Sequence, residues 1–232
     1  MFFLDPRYLL FMAPAFILML IVQGYVKSAY SKWSKVPARS RLTGAEAAER
    51  LIRRGGLNVQ VEGVQGQLTD NYDPRSKVLH LSSGVYNSSS VAALAIAAHE
   101  LGHAMQDKED YIPLRFRAAI VPAVSIGSYL GWILLMIGFL LQRTELAWLG
   151  VLVFSGGAIF ALATLPVELN ASARARQLLT ETGLIVGEDE QRGVNNVLNA
   201  AALTYVAALI TAVLQLLYFV TLVLGMGGRR RS

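Results

Sequence analysis

The chain has 232 residues, of which 54% are hydrophobic and 16% charged, with a formal net charge of +5 and no cysteine. That length suits one domain or a small membrane unit, and so little charge excludes an ordinary soluble enzyme. Without cysteine there are no disulfides and no thiolate-held zinc, so any metal must be bound by His and carboxylates. The 21 basic residues gather beside apolar runs and at the C-terminus, which fits lipid head groups and membrane topology and argues against a nucleic-acid partner.

The first element is an uncharged run from Tyr8 to Val26, about the 20 residues a helix needs to cross a hydrocarbon core. Asp5 stands against Arg7 before it and no small-x-small cleavage site follows, so it reads as an uncleaved anchor. A polar stretch comes next. Thr43 and Glu46 make a capping box, and the helix they open stops at Gly55 and Gly56. Asn58 to Gln65 and Lys77 to Ser82 read as short strands, the second entered through the turn Asp73-Pro74-Arg75-Ser76. From the serines at 88 to 90 a new helix runs VAALAIAAHELGHAMQD.

Two further apolar blocks, Ala118 to Leu141 and Leu146 to Leu165, flank a break at residues 142–145 and read as a transmembrane hairpin. Pro166 suits the start of a following helix. The last apolar block, Ala200 to Leu224, ends in a tail carrying Arg229, Arg230 and Arg231. Four spans put both chain ends on one side. The expected division is an N-terminal anchor (1–26), an α+β catalytic insertion (27–117), the hairpin (118–165), a helical segment (166–199), and a last transmembrane helix with a basic tail (200–232). Lys27, Lys32, Lys35, Arg39 and Arg41 after the first span, with Arg115 and Arg117 before the second, outweigh Arg7 and Arg143 on the other side. That bias predicts a cell-membrane protein with its polar domain in the cytosol, and the terminal arginines pull the other way.

The central motif is His99-Glu100-Leu101-Gly102-His103, an H-E-x-x-H on the expected helix. Residues four apart share one helix face, so the two imidazoles can converge on one zinc ion while Glu100 projects toward the hydrolytic water as general base. Such a site hydrolyses peptide bonds: the metal polarises a carbonyl and acidifies water, and the glutamate takes and returns the proton. A third protein ligand is required. The pattern H-E-x-x-H-x-x-G-x-x-H fails, because Gln106 and Glu109 stand where glycine and histidine would. His80, the remaining histidine, reads as a strand residue lining the substrate groove. Glu168 is the better candidate, since an acid beside a long apolar span needs a reason and counting spans brings it out on the side of His99 and His103. Arg174 and Arg176 could stabilise an oxyanion, but the reading favoured is contact with lipid phosphates. Tyr205 is a conceivable oxyanion donor or an interfacial anchor.

The run NYDPRSKVLHLSSGVYNSSSVAALAIAAHELGHAMQ, with YIPLRFRAAIVP after it and PVELNASARA later, resembles the YugP-type membrane zinc metallopeptidases over nearly the whole chain. It is more distantly similar to HtpX-type peptidases, in which a glutamate of an E-x-x-x-D helix is the third ligand. The resemblance implies one Zn2+ per chain held by His99, His103 and Glu168, with Glu100 as general base. It also suggests that Lys77 to Ser82 is an edge strand, so that Lys77, Val78, Leu79, His80 and Leu81 would pair with an extended peptide or membrane-protein substrate. Ser172 stands where the HtpX-type pattern has its histidine-orienting aspartate, and Asn170 where an acid is expected, so support for the ligands must come partly from elsewhere. The fold class expected is a mainly α membrane protein with four transmembrane helices and a small α+β zincin-like insertion carrying the H-E-x-x-H helix. The competing function is a non-catalytic membrane scaffold or assembly factor with a structural zinc site.

Overall fold

The computed structural model describes residues 6–228, so the Asp5 and terminal-arginine arguments fall outside the described residues. In chain order the elements are α1 (Pro6–Trp33), α2 (Gly44–Gly55), β1 (Gln60–Val64), β2 (Asn71–Asp73), β3 (Val78–Ser82), α3 (Ser83–Tyr86), α4 (Val91–Lys108), α5 (Ile112–Leu140), α6 (Thr144–Phe154), α7 (Gly156–Glu181) and α8 (Glu188–Gly228). They form two compact units.

The first unit comprises residues 1–21, 115–165 and 204–232. Four helical stretches, Pro6–Trp33, Ile112–Leu140, Thr144–Glu181 and Glu188–Met226, are long and apolar enough to cross a membrane. Only 11–22% of the residues in their most apolar windows are buried inside the molecule, which leaves apolar surface for lipid to cover. Helices α5 and α6 pack as an antiparallel pair at glycines: a Cβ on Gly138 would lie 2.5 Å from Ala147 N, and one on Gly150 2.6 Å from Leu135 N. Small residues permit that approach, which drives helix association where no hydrophobic effect operates. An aromatic cluster fills the rest, with Tyr218 fully buried and edge-on to Tyr8 at 5.2 Å.

The second unit comprises residues 22–114 and 166–203. Helix α2 begins at the expected capping box, with Glu46 N–H donating to Thr43 Oγ1 (3.2 Å) and Thr43 N–H to Glu46 Oε2 (2.8 Å), and ends at Gly56, whose φ of 57° suits glycine. Ser90 caps α4 by accepting from Ala93 N–H at 3.2 Å. Alanines 92, 93, 95, 97 and 98 on α4 are all at most 1% exposed; their small side chains let α4 sit at the centre of the core with Leu51, Leu79, Leu81, Leu179 and Leu198 around it.

Two sequence expectations are corrected here. The sheet order is β1-β3-β2, with β1 parallel and β2 antiparallel to β3. The strand Val78–Ser82 is therefore central and not an edge: Val78, Leu79 and His80 are paired on both sides, Leu81 is paired with β1, and Lys77 precedes the strand, so the expected edge at Lys77, Val78, Leu79, His80 and Leu81 is not there to offer a peptide. The outer strand near α4 is β2, Asn71–Asp73, for which the sequence predicts no strand and which overlaps the expected turn only at Asp73. Pro166 does not start a helix; it lies inside α7, which begins after a break at Ser155. A proline inside a helix removes one N–H from the ladder, and α7 nevertheless runs on through Pro166 to Glu181.

Candidate metal centre

His99 and His103 lie one turn apart on α4, their rings edge-on at 5.0 Å. Both Nε2 atoms face Glu168 Oε2, at 3.3 Å and 3.5 Å, and all three candidate ligand atoms lie within 4.8 Å of one another. Glu168, only 2% exposed, comes from α7. A single crossing brings it there. A Cβ on Gly102 would fall 2.6 Å from Ala171 O and 3.0 Å from Ala171 Cα, so α4 and α7 touch backbone to backbone between the two histidines and Glu168.

The donor set fits zinc. Ligand atoms about 2.1 Å from a tetrahedral ion sit about 3.4 Å apart, and the two Nε2 to Oε2 separations fall at that value. Two imidazoles with one carboxylate are also the ligand types of a three-ligand catalytic site.

Each histidine is held from behind. Ser172 Oγ lies 3.2 Å from His99 Nδ1, and Gln106 Oε1 lies 3.0 Å from His103 Nδ1. Gln106 is fully buried and its Nε2 donates to Val167 O (2.8 Å) and Asn170 Oδ1 (2.9 Å). Ser172 thus sits where the resemblance leads one to seek an orienting aspartate. Gln106 is a functional candidate that sequence reasoning passed over, having met it only as a mismatch to a longer histidine motif.

Glu100 Oε2 accepts from the Tyr72 N–H on β2 at 3.2 Å. The hydrogen-bonded sheet edge of β2 therefore turns toward this carboxylate. Burial pushes the Glu100 carboxyl above the ordinary range; His99 and His103 oppose that rise, and Glu168 and Asp70 add to it. Asp70, itself raised by burial, accepts from Ser82 N–H at 2.8 Å and from Ser82 Oγ. Tyr72 Oη donates to Asp107 Oδ2 at 2.7 Å, and Lys77 Nζ pairs with the same carboxylate, tying β2 and the start of β3 to α4.

Other candidates are placed elsewhere. His80 alternates onto the face opposite Leu79 and Leu81, the residues packed in the core with α4, and its Nδ1 is 3.9 Å from Glu62. Arg174 does not reach for lipid: its guanidinium grips Glu109 with two bonds (2.8 and 2.7 Å), and its Nε donates to Asn170 Oδ1 (2.7 Å). Arg176 donates to Asn195 Oδ1 (2.8 Å) and Asn199 Oδ1 (2.6 Å) on α8, which takes up its guanidinium away from an oxyanion role. Tyr205 is a half-buried residue of the first unit, whereas the candidate ligands all belong to the second.

A cluster of two partly buried histidines and one buried glutamate, in a chain whose described residues include four apolar spans, defines a class: the profile of the family described as putative neutral zinc metallopeptidase matches residues 8–224, and the chain belongs to that family. Among its relatives is the putative membrane protease YugP of Bacillus subtilis (strain 168), 47% identical over 200 residues, which cover 86% of this chain and 88% of that protein. No solved structure matches.

Proposed function

We propose that the protein is a membrane-embedded zinc endopeptidase in which His99, His103 and Glu168 hold one Zn2+ and Glu100 of the H-E-x-x-H helix is the general base. The observation that carries this reading is the meeting of two Nε2 atoms at a single buried carboxylate oxygen. A bound zinc ion would supply Lewis acidity at a substrate carbonyl and lower the pKa of the hydrolytic water. Glu100, neighbour to His99 and turned toward the outer edge of β2, takes a proton from the attacking water and delivers it to the leaving amine. Burial raises the Glu100 carboxyl, which makes its carboxylate a stronger base for the first of these proton transfers. The peptide would run along the outer edge of β2 in place of Lys77 to Leu81, taking over the Tyr72 N–H from Glu100. Segments or tails of membrane proteins are the substrates that a chain with four apolar spans would meet, and the lysine and arginine bias supports a zincin-like insertion facing the cytosol at the cell membrane.

The test is zinc content and proteolysis of the purified protein beside Glu100→Gln and Glu168→Ala. The expected result is zinc retained with turnover lost by about 100-fold or more in the first, and zinc lost in the second. Full function in Glu100→Gln would favour a scaffold with a structural zinc clamp, and undiminished zinc in Glu168→Ala would remove the third ligand.

A further inference from the structure

We infer that Gln106, locked in one orientation by Asn170 and Arg174, is the positioning residue that holds His103 as its Nδ1–H tautomer and turns the bare Nε2 lone pair toward Glu168. The inference rests on the metal site of the reading above and adds to it a chain of groups that sets one ligand.

A guanidinium only donates, so the Asn170 atom 2.7 Å from Arg174 Nε is its carbonyl oxygen. The Gln106 atom 2.9 Å from that oxygen must then be the amide nitrogen. A second, independent constraint agrees: the same Gln106 nitrogen is 2.8 Å from Val167 O, a main-chain carbonyl that can only accept. With the amide flip fixed twice, the Gln106 atom facing His103 is an oxygen, an acceptor. His103 Nδ1 must therefore carry a hydrogen. In the neutral imidazole the other nitrogen is then unprotonated, which is the form a metal requires.

The outer end of the chain is pinned as well. Glu109 accepts two bonds from Arg174, a planar fork that fixes the guanidinium in position. A leucine or methionine at 106 would fill the volume, yet His103 could then turn over or take the other tautomer. Gln106 is fully buried, and both its amide hydrogens are committed to Val167 and Asn170, which leaves its oxygen for His103.

The experiment measures zinc affinity by chelator competition, and the visible spectrum of the cobalt-substituted protein, for the wild type and for Gln106→Leu, Asn170→Leu and Asn170→Asp. Unfolding of each metal-free protein is followed alongside. Gln106→Leu should bind zinc about 10- to 100-fold more weakly, the usual cost of removing a group that orients a metal-bound histidine, with an altered cobalt spectrum. Asn170→Leu should lose affinity in the same direction by a smaller factor, because Val167 still holds the amide. Asn170→Asp keeps an acceptor for both Gln106 and Arg174 and should restore affinity to within about threefold of wild type. Metal-free stability reduced in the leucine variants with zinc affinity and cobalt spectrum unchanged would reduce Gln106 to a packing role and overturn the inference, leaving the zinc reading intact. Should Gln106→Leu fail to fold, the Asn170 pair decides: equal affinities for the leucine and aspartate variants overturn the inference. A wild-type protein that takes up no zinc overturns both readings together.

Discussion

Replacing Gly102 with alanine separates the packing of the second unit from the assembly of its metal centre. The added Cβ would meet Ala171 O at 2.6 Å, which is 0.8 Å short of ordinary contact at 3.4 Å, and its nearest neighbours are all backbone atoms of α7. No side chain can rotate away, so the two helices must part by several tenths of an ångström. Two effects oppose each other in stability. Alanine gains about 1 kcal/mol over glycine in a helix interior, while overpacking a core costs about 1–3 kcal/mol. The net loss is then about 2 kcal/mol or less, a shift of a few degrees in Tm for a chain of this size. The metal centre has far less tolerance. Ligand distances in zinc sites hold to about 0.2 Å, and α7 carries both Glu168 and Ser172, so zinc affinity should fall about 10- to 100-fold. Thermal unfolding of the metal-free protein, with zinc titrated against a chelator, reads the two effects separately. Zinc bound by Gly102→Ala within twofold of wild type would refute the claim that this crossing sets the ligand geometry.

Two more outcomes follow from the same contacts. Tyr72→Phe removes the donor at 2.7 Å from Asp107 but leaves the Lys77 ammonium on that carboxylate; urea unfolding should show a loss of about 1 kcal/mol, and a loss above 3 kcal/mol would mean that Lys77 does not compensate. The metal-free protein should also lose stability as pH rises. Burial works to lower the His103 value, but bonding to Glu168 and the charges of Glu100 and Glu168 outweigh it and raise it above 6.5. A raised folded-state value contributes stability that is fully present below the unfolded value and is lost as pH climbs through the folded one. Glu100 and Asp70 are raised too and act with the same sign. The Tm of the metal-free protein should therefore decline as pH rises, first from about pH 4 as Glu100 and Asp70 ionise in the unfolded chain and then above about 6.5 as His103 follows, and zinc should flatten the upper part of that decline because a bound ion excludes the His103 proton. A Tm that rises over this interval contradicts the assigned direction.

What could be read from the sequence was what depends on local spacing. His99 and His103 share a face because four residues make about one turn, and the capping box at Thr43 and Glu46 is a local hydrogen-bond exchange. Glu168 stood out because an acid beside an apolar span costs free energy unless something answers its charge. Strand order was not legible, because alternation tells which face a side chain takes and says nothing of the neighbouring strand. Thus β3 was taken for an edge, and β2, three residues running into a turn, was passed over. Pro166 misled in a similar way: a proline is a local signal, and the tertiary setting of α7 overrode it. Gln106 stands three residues after His103, but the partners that fix its amide, Val167 and Asn170, are more than sixty positions away.

The choice of neutral groups behind both histidines has an electrostatic logic. The centre already gathers two carboxylates, Glu168 at 2% exposure and Glu100 with its carboxyl raised by burial. A divalent cation would balance those two charges with the imidazoles neutral. An aspartate in place of Ser172, as the HtpX-type pattern has it, would add a third negative charge to the same pocket, and an unbalanced charge in a poorly solvated site costs several kcal/mol. The Ser172 hydroxyl and the Gln106 amide orient the rings by hydrogen bonding alone. The formal charge behind them is carried by Arg174 and Glu109, which cancel each other at the surface end of the chain. Departures that look like weakened support in the sequence are, in the fold, a way to orient two ligands without adding to a negative charge that one ion can balance.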